Sequence, residues 1–208
     1  MDSGRSSERV TVGLGAQLSL DTFEGDPRVA AIELLGKTLV VRDGEVVVGG
    51  RIVEVEAYLG AEDPGSHAAT KGITSRNATM YGPPGSVYVY LSYGIHHMLN
   101  VVCMPDGVAG AVLIRAIEPM FGAEVMAQRR GTVEPLLLAS GPGRLTSALG
   151  ITMEDNATFI NAGRLELYDA PTVPTAEIAT SGRIGLSAGQ NLPLRYYIAQ
   201  SRYVSRRS

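Results

Sequence analysis

Two short stretches concentrate the side chains able to do chemistry. In RIVEVEAY, residues 51–58, carboxylates and a phenol fall at Glu54, Glu56 and Tyr58. Strand alternation puts these three on one face and Val53, Val55 and Ala57 on the other. A carboxylate at the mouth of a pocket can orient or deprotonate a water and stabilise a developing positive charge. Glu56 is the better placed for that work, beside Tyr58 and near the Gly-rich loop that holds His67, whereas Glu54 reads as part of a solvent-exposed face. The second stretch, SVYVYLSYGIHHMLN at 86–100, holds three of the nine tyrosines and two of the three histidines. Tyr88 and Tyr90 share a strand face. Tyr93 falls on the opposite face, just before Gly94, where a turn lets a ring project. On pattern alone two readings compete for these rings. Tyr58 and Tyr90 form two walls of a slot for a planar group, or the rings pack in the core, which is the better reading for Tyr88.

A metal centre is the rival arrangement. His67, His96, His97, Glu54 and Glu56 carry suitable donor atoms, but the chain has no H-x-x-x-H, C-x-x-C or H-E-x-x-H spacing. Adjacent His96 and His97 would point apart in a strand. No phosphate-binding glycine loop of the G-x-x-x-x-G-K-[ST] or G-x-G-x-x-G type is present. Gly141-Pro142-Gly143-Arg144 reads as a turn opening a helix, a weak anion signal by itself. Ser140 lacks the setting of a nucleophile elbow.

These residues need a scaffold. Asp26-Pro27 followed by RVAAIELLGK predicts a helix, capped by Asp26, with Pro27 at its first position and Gly36 as its stop. TLVV, a turn at RDGE, and VVVGGRIVEVEAYL predict a hairpin of β-branched strands. SVYVYL, then AGAVLIRAIEP ending at Pro119, then LRYYIAQ predict further strands, with short helices at GAEVMAQRRG and GPGRLTSALG. The long stretch 59–86 is a Gly-, Pro- and Ser/Thr-rich loop, and loops of that length in compact domains are often functional. Strands outnumber helices and short turns join several of them. The expectation is an α+β fold: one mixed domain over residues 15–208 with a curved, partly barrel-like antiparallel sheet and short surrounding helices, preceded by a disordered tail at 1–14.

Composition sets the limits. The 208 residues are 45% hydrophobic and 19% charged, as in soluble globular proteins. No apolar run approaches the roughly 18 residues of a membrane span, and the N-terminus lacks a secretory pattern. Cys103 is alone, which rules out an internal disulfide framework. The net charge is −3, yet no acidic residue lies between Asp63 and Asp106 or after Glu177. Arg183, Arg195, Arg202, Arg206 and Arg207 fall in the second of these zones, so a basic face on an acidic protein is available.

Taken in order, RIVEVEAYLGAEDPGSHA, SRNATMYGPPGSVYVYLSYGIHHMLNVV, AVLIRAIEP, SGPGRLTSALGI and RIGLSAG closely resemble the alkyladenine (3-methyladenine) DNA glycosylase family. The likeness runs over nearly the whole chain, and the E-x-E-A-Y and Y-V-Y-x-x-Y-G blocks together are specific. The resemblance implies a hydrolase of N-glycosyl bonds. It would flip damaged purines out of double-stranded DNA, without cofactor or metal, acting as a soluble monomer at the nucleoid or in the nucleus. It implies that Glu56 activates the water, with Arg115 near the water and the phosphate. It also implies that Tyr58, Gly65, His67, Tyr90, Asn100 and Ile184 line the base pocket, and that Tyr93 wedges into the duplex. The only lysines, Lys37 and Lys71, lie outside these motifs, so a Schiff-base lyase step is not expected. Ile95 stands where many relatives of the resembled family carry Met, and the His96-His97 pair replaces the bulkier aromatics of some, which bears on the damage spectrum. A non-catalytic binder of damaged DNA and a metal-dependent nucleoside hydrolase are the alternatives.

Overall fold

The structure, a computed structural model, describes residues 13–206. Most of the expected tail, and Arg207 with it, lies outside these residues. Eight strands form one antiparallel sheet: β1 (Thr38–Asp43), β2 (Val46–Tyr58), β3 (Val87–Ser92), β4 (His96–Val102), β5 (Ala111–Phe121), β6 (Leu165–Tyr168), β7 (Ile178–Ser181) and β8 (Arg195–Ile198). The main order is β3-β4-β5-β2-β1-β6. The fold is mixed α+β, and the sheet curls into a half-barrel. Five short helices accompany it: α1 (Pro27–Leu34), α2 (Ala68–Lys71), α3 (Ala123–Arg130), α4 (Pro135–Leu138) and α5 (Pro142–Leu149).

Local sequence explains the frame. Asp26 accepts the Arg28 amide at 2.8 Å, Pro27 opens α1, and Gly36 turns the chain away at φ +85°. Helix α1 buries Ala30, Ala31 and Leu34 in a core shared with Leu39, Ile52, Val53, Val55 and Ile114. The glycines at the ends of α3 and α5, Gly131 and Gly150, adopt left-handed conformations, as helix stops do.

Strand β2 is the centre of the sheet. One edge pairs with β5; the other pairs with β1 over residues 46–51 and with β8 over Glu54–Glu56. Residues 52–58 are also buried on both faces, and the expectation that Glu54 is solvent-exposed is overturned. Its side chain is fully buried, because β8 and the segment at Ser205 cover the face that alternation alone leaves open. The β2–β5 register is irregular on both sides of Glu54. Glu54 opposes Ala116, while Val55 already opposes Ile114. Arg115 is left between paired positions, and such a bulge re-aims a side chain. Strand β5 also continues through Pro119 to Phe121, past its expected end. Pro119 sits opposite Gly50, beside another register shift, where a missing backbone N–H is tolerated.

The 59–86 stretch is less open than its composition suggests. It contains α2 and a 3-10 turn at Ala78–Tyr81. The Asn77 side chain pins both ends of its inner loop, accepting the Thr74 amide at 2.6 Å and donating to the His67 and Gly72 carbonyls at 3.0 and 2.9 Å. Strand β4 follows β3 after a turn and pairs with it along the wall that carries Tyr88 and Tyr90.

Candidate active site

Side chains from β2, β3, β4, β5 and two loops converge at one end of the sheet. Glu56 lies fully buried at their centre. Its Oε1 accepts the Ile184 amide at 2.8 Å, and its Oε2 accepts the Tyr58 hydroxyl at 2.9 Å and faces Arg115 Nη1 at 3.2 Å. A carboxylate offers about four acceptor positions. Three donors approach Glu56, so one position, on Oε1, is left for a further donor such as a water. Glu54 differs. Arg115 Nε at 2.9 Å, Arg195 Nε at 2.8 Å and Ser205 Oγ at 2.8 Å donate to its Oε1, and the Ser205 amide donates to Oε2 at 2.6 Å. Glu54 is saturated. Burial alone would raise its pKa, but Arg115, the Ser205 amide and Arg195 prevail and hold it below the usual carboxylate range.

A narrow cavity of about 40 Å³ is lined by Tyr58, whose hydroxyl donates to Glu56, and by Gly65, His67, Met80, Tyr88, Tyr90, Asn100 and Leu186. Five of the six expected pocket residues meet here. The sixth, Ile184, contributes its backbone amide to Glu56 instead of lining the cavity. His67 packs edge-on against Tyr90, with centroids 4.5 Å apart and planes at 75°. Its Nδ1 lies 2.9 Å from the Tyr88 hydroxyl. Tyr88 is buried, as expected, and it also lines the cavity. Burial and then the nearby charge of Arg76 lower the His67 pKa, so the imidazole is neutral at pH 7. Burial, reinforced by Glu56, raises the Tyr58 hydroxyl well above its ordinary value and pushes Tyr90 up to about 12. Both phenols stay protonated and able to donate. Asn100 uses its Nδ2 on the Tyr88 and Met98 carbonyls at 3.1 and 3.3 Å, so the atom it presents to an incoming group is its carbonyl oxygen.

A second layer that the sequence did not reveal fixes this constellation. Arg183 forms a fully buried pair with Asp63, both contacts at 2.5 Å, and donates to the Ala57 carbonyl at 3.0 Å. Its guanidinium lies 4.7 Å from the centre of the Tyr58 ring. One residue on, Ile184 delivers its amide to Glu56. The pair thus locks the 59–66 loop, the Tyr58 ring and the Ile184 backbone to one another. Gly65 permits the closure, since a Cβ there would press within 2.5 Å of Arg183 Nη2 and 2.7 Å of Leu186. The only sequence signal was Asp63 itself, the last acid before a long acid-free run.

Tyr93 stands apart from the cavity, at the tip of the β3–β4 turn. Its ring is 87% exposed and its φ is +52°, a left-handed conformation uncommon for a bulky residue. Gly94 follows at φ +73°, and Ile95 is exposed beside it. The turn overlooks an open groove of about 710 Å³ whose lining includes His96, Arg130, Gly143 and Arg144. Arg76, Arg144, Arg202 and Arg206 are exposed. Arg183 and Arg195 are internal ion-pair partners, so they are withdrawn from the basic face expected of the acid-free zones. Among the described residues, no group of three or more His, Cys, Asp or Glu side chains could hold a metal ion. No helix of the described residues is long and apolar enough to cross a membrane.

The family model for methylpurine-DNA glycosylase matches residues 21–202. This chain belongs to that family. It is 48% identical over 188 residues to a protein of Methanoculleus marisnigri, covering 89% of this chain and 96% of the relative. It is 47% identical to one of Koribacter versatilis, covering 88% and 90%, and 45% identical to one of Rhodopseudomonas palustris, covering 93% and 90%. All three are named, by inference, 3-methyladenine DNA glycosylases. The matched span takes in β2, the aromatic cavity, the exposed turn and the Arg183–Ile184 loop. Ser205, which donates to Glu54, and Arg206, whose carbonyl accepts from Arg195, fall beyond it.

Proposed function

We propose that this protein removes alkylated purines from double-stranded DNA by hydrolysing the N-glycosidic bond, with Glu56 as the water-activating base. The observation that carries the reading is the contrast between two buried carboxylates on one strand face. Glu54 takes four donors and is enclosed by Arg115, Arg195 and Ser205, whereas Glu56 takes three and shares its Oε2 with Tyr58, a wall of the aromatic cavity. Family membership and the names of its relatives support the substrate class.

The chemistry fits these groups. Alkylation of a ring nitrogen makes the purine cationic and a good leaving group, so the enzyme has little acid catalysis to supply. Bond cleavage places positive charge on the sugar, and a carboxylate beside it stabilises that charge, as in glycoside cleavage. Glu56 takes a proton from water as the water adds to the sugar carbon, and the bond pair leaves with the purine. Arg115 and the Ile184 amide hold the carboxylate in place. Tyr58, His67 and Tyr90 supply π faces that accept many damaged purines, and the Asn100 carbonyl oxygen reads an edge.

A cavity of about 40 Å³ holds about one water and no purine. The target base, flipped from the stack, therefore has to part His67 from Tyr90. Tyr93, at the exposed turn, fills the vacated place in the duplex. With water as nucleophile, the reaction ends at the abasic site without strand cleavage.

The test is to incubate the protein with alkylated duplex DNA and identify released bases by chromatography. Wild type should release alkylated purines. Glu56→Gln should retain binding to damaged duplex while losing roughly 100- to 10,000-fold in single-turnover release. Near wild-type release by Glu56→Gln would sink the assignment, and binding without release by the wild type would favour a non-catalytic damage binder.

A further inference from the structure

The cluster behind the cavity contains a carboxylate that the proposed reaction does not use. We infer that Glu54 is a positioning residue for that reaction: together with Ser205 it holds Arg115 from behind, so that the guanidinium meets Glu56 through one nitrogen instead of closing on it as a two-pronged pair. The inference rests on the reading of Glu56 as the base.

Four observations lead to it. Glu54 engages Arg115 through Nε at 2.9 Å, the inner edge of the guanidinium. Ser205 Oγ adds a contact to Arg115 Nη2 at 3.5 Å and donates to Glu54 at 2.8 Å. With Nε and Nη2 engaged in this way, Nη1 is the nitrogen facing Glu56, at 3.2 Å. Arg195 supplies the balancing charge, held by the Ser181 hydroxyl at 2.9 Å and by the Arg206 carbonyl. A guanidinium released from Glu54 would find its nearest anion in Glu56, and the parallel two-bond geometry is the strong one for arginine and carboxylate. That pairing would fill the open acceptor position on which water activation depends. The bulge in β5 serves the same end, since it leaves Arg115 between paired positions where it reaches both glutamates.

A purely structural account predicts something different. If Glu54 served only to neutralise buried arginines, removing one charge of each sign would restore everything. The test therefore uses Glu54→Gln and the charge-balanced double variant Glu54→Gln/Arg195→Gln, each checked for thermal stability. Single-turnover release from alkylated duplex and affinity for that duplex are measured for both, and a crystal structure is determined for the more stable one. The expected result is at least about tenfold slower release in both variants with affinity changed by less than about threefold, and a crystal structure with two Arg115 nitrogens on Glu56. The double variant should regain stability without regaining rate. Recovery of the wild-type rate in the double variant, or an Arg115 that still meets Glu56 through Nη1 alone, would overturn the inference. The crystallographic arm judges Glu54 even if wild type releases no base, an outcome that would instead sink the reading of the reaction.

Discussion

Replacing Tyr93 by alanine separates reading the duplex from everything else the protein does. The ring is 87% exposed, so its removal takes no packing from the free protein, and stability should change by no more than about 0.5 kcal/mol. The effect is expected on DNA. Extruding a nucleotide costs a few kcal/mol, and a ring in the gap recovers roughly 1–3 kcal/mol per base it stacks on. Losing about 1.4–2.8 kcal/mol of this corresponds to one to two orders of magnitude in binding and excision. Fluorescence anisotropy and single-turnover excision would be compared for one lesion placed in a paired site and opposite a gap. The defect should shrink opposite the gap, where extrusion costs less. Glycine at this position is an internal control. A left-handed conformation costs a non-glycine residue roughly 1–2 kcal/mol, so Tyr93→Gly should be more stable than Tyr93→Ala by about 1 kcal/mol with the same excision defect. An equal loss in paired and gapped contexts would refute the wedge and place Tyr93 with the pocket.

Tyr58→Ala and Tyr90→Ala should slow release from every context alike, because each removes a wall of the cavity; a defect confined to paired lesions would contradict this. Base release should survive EDTA, and borohydride should trap no covalent DNA adduct; zinc-restored activity or a trapped adduct would count against hydrolysis by an activated water. With Arg183 and Arg195 internal, one phosphate contact from each of the exposed Arg76, Arg144, Arg202 and Arg206 would make the logarithm of affinity fall with the logarithm of salt with a slope of about −3.6. A salt-insensitive affinity would point to a free nucleoside as substrate. Asp63 has its pKa lowered: burial opposes the shift, but Arg183 and the Leu59 and Gly65 amides prevail. Its stabilisation is complete above the unfolded carboxylate value of roughly 4 and is lost as the pH falls through the lower folded value. Asp63→Asn should therefore depress the melting temperature strongly at pH 7 and much less near pH 2; a pH-independent penalty would contradict the ion-pair account.

The hairpin of β1 and β2, the strands at 87–92 and 195–198 and the capped helix α1 were legible because period-2 alternation, Asp-Pro and Gly-turn signals act locally. Tyr58, Gly65, His67, Tyr90 and Asn100 were legible through motif likeness, and they do meet around one cavity. Alternation placed Glu54, Glu56 and Tyr58 on one face correctly but gave no sign that the face was covered. That cover comes from β8 and Ser205, about 140 residues further along, a distance over which spacing carries no information. For the same reason Arg183 and Arg195 read as surface charge, since their partners Asp63 and Glu54 are remote in sequence. The β5 bulge was hidden too: pairing register belongs to two strands together, and AVLIRAIEP shows only one of them.

The exposed turn at Tyr93–Ile95 has a consequence for how such proteins diverge. It hangs from β3, the terminal strand of the sheet's main order, while Glu56 lies on β2, flanked by neighbours on both edges. A substitution at Ile95 or His96 changes an exposed surface without disturbing a buried charge. One at Glu54, Arg115 or Arg195 strands an ion in the interior. The sheet's rim can therefore vary at far lower cost in stability than its charged centre.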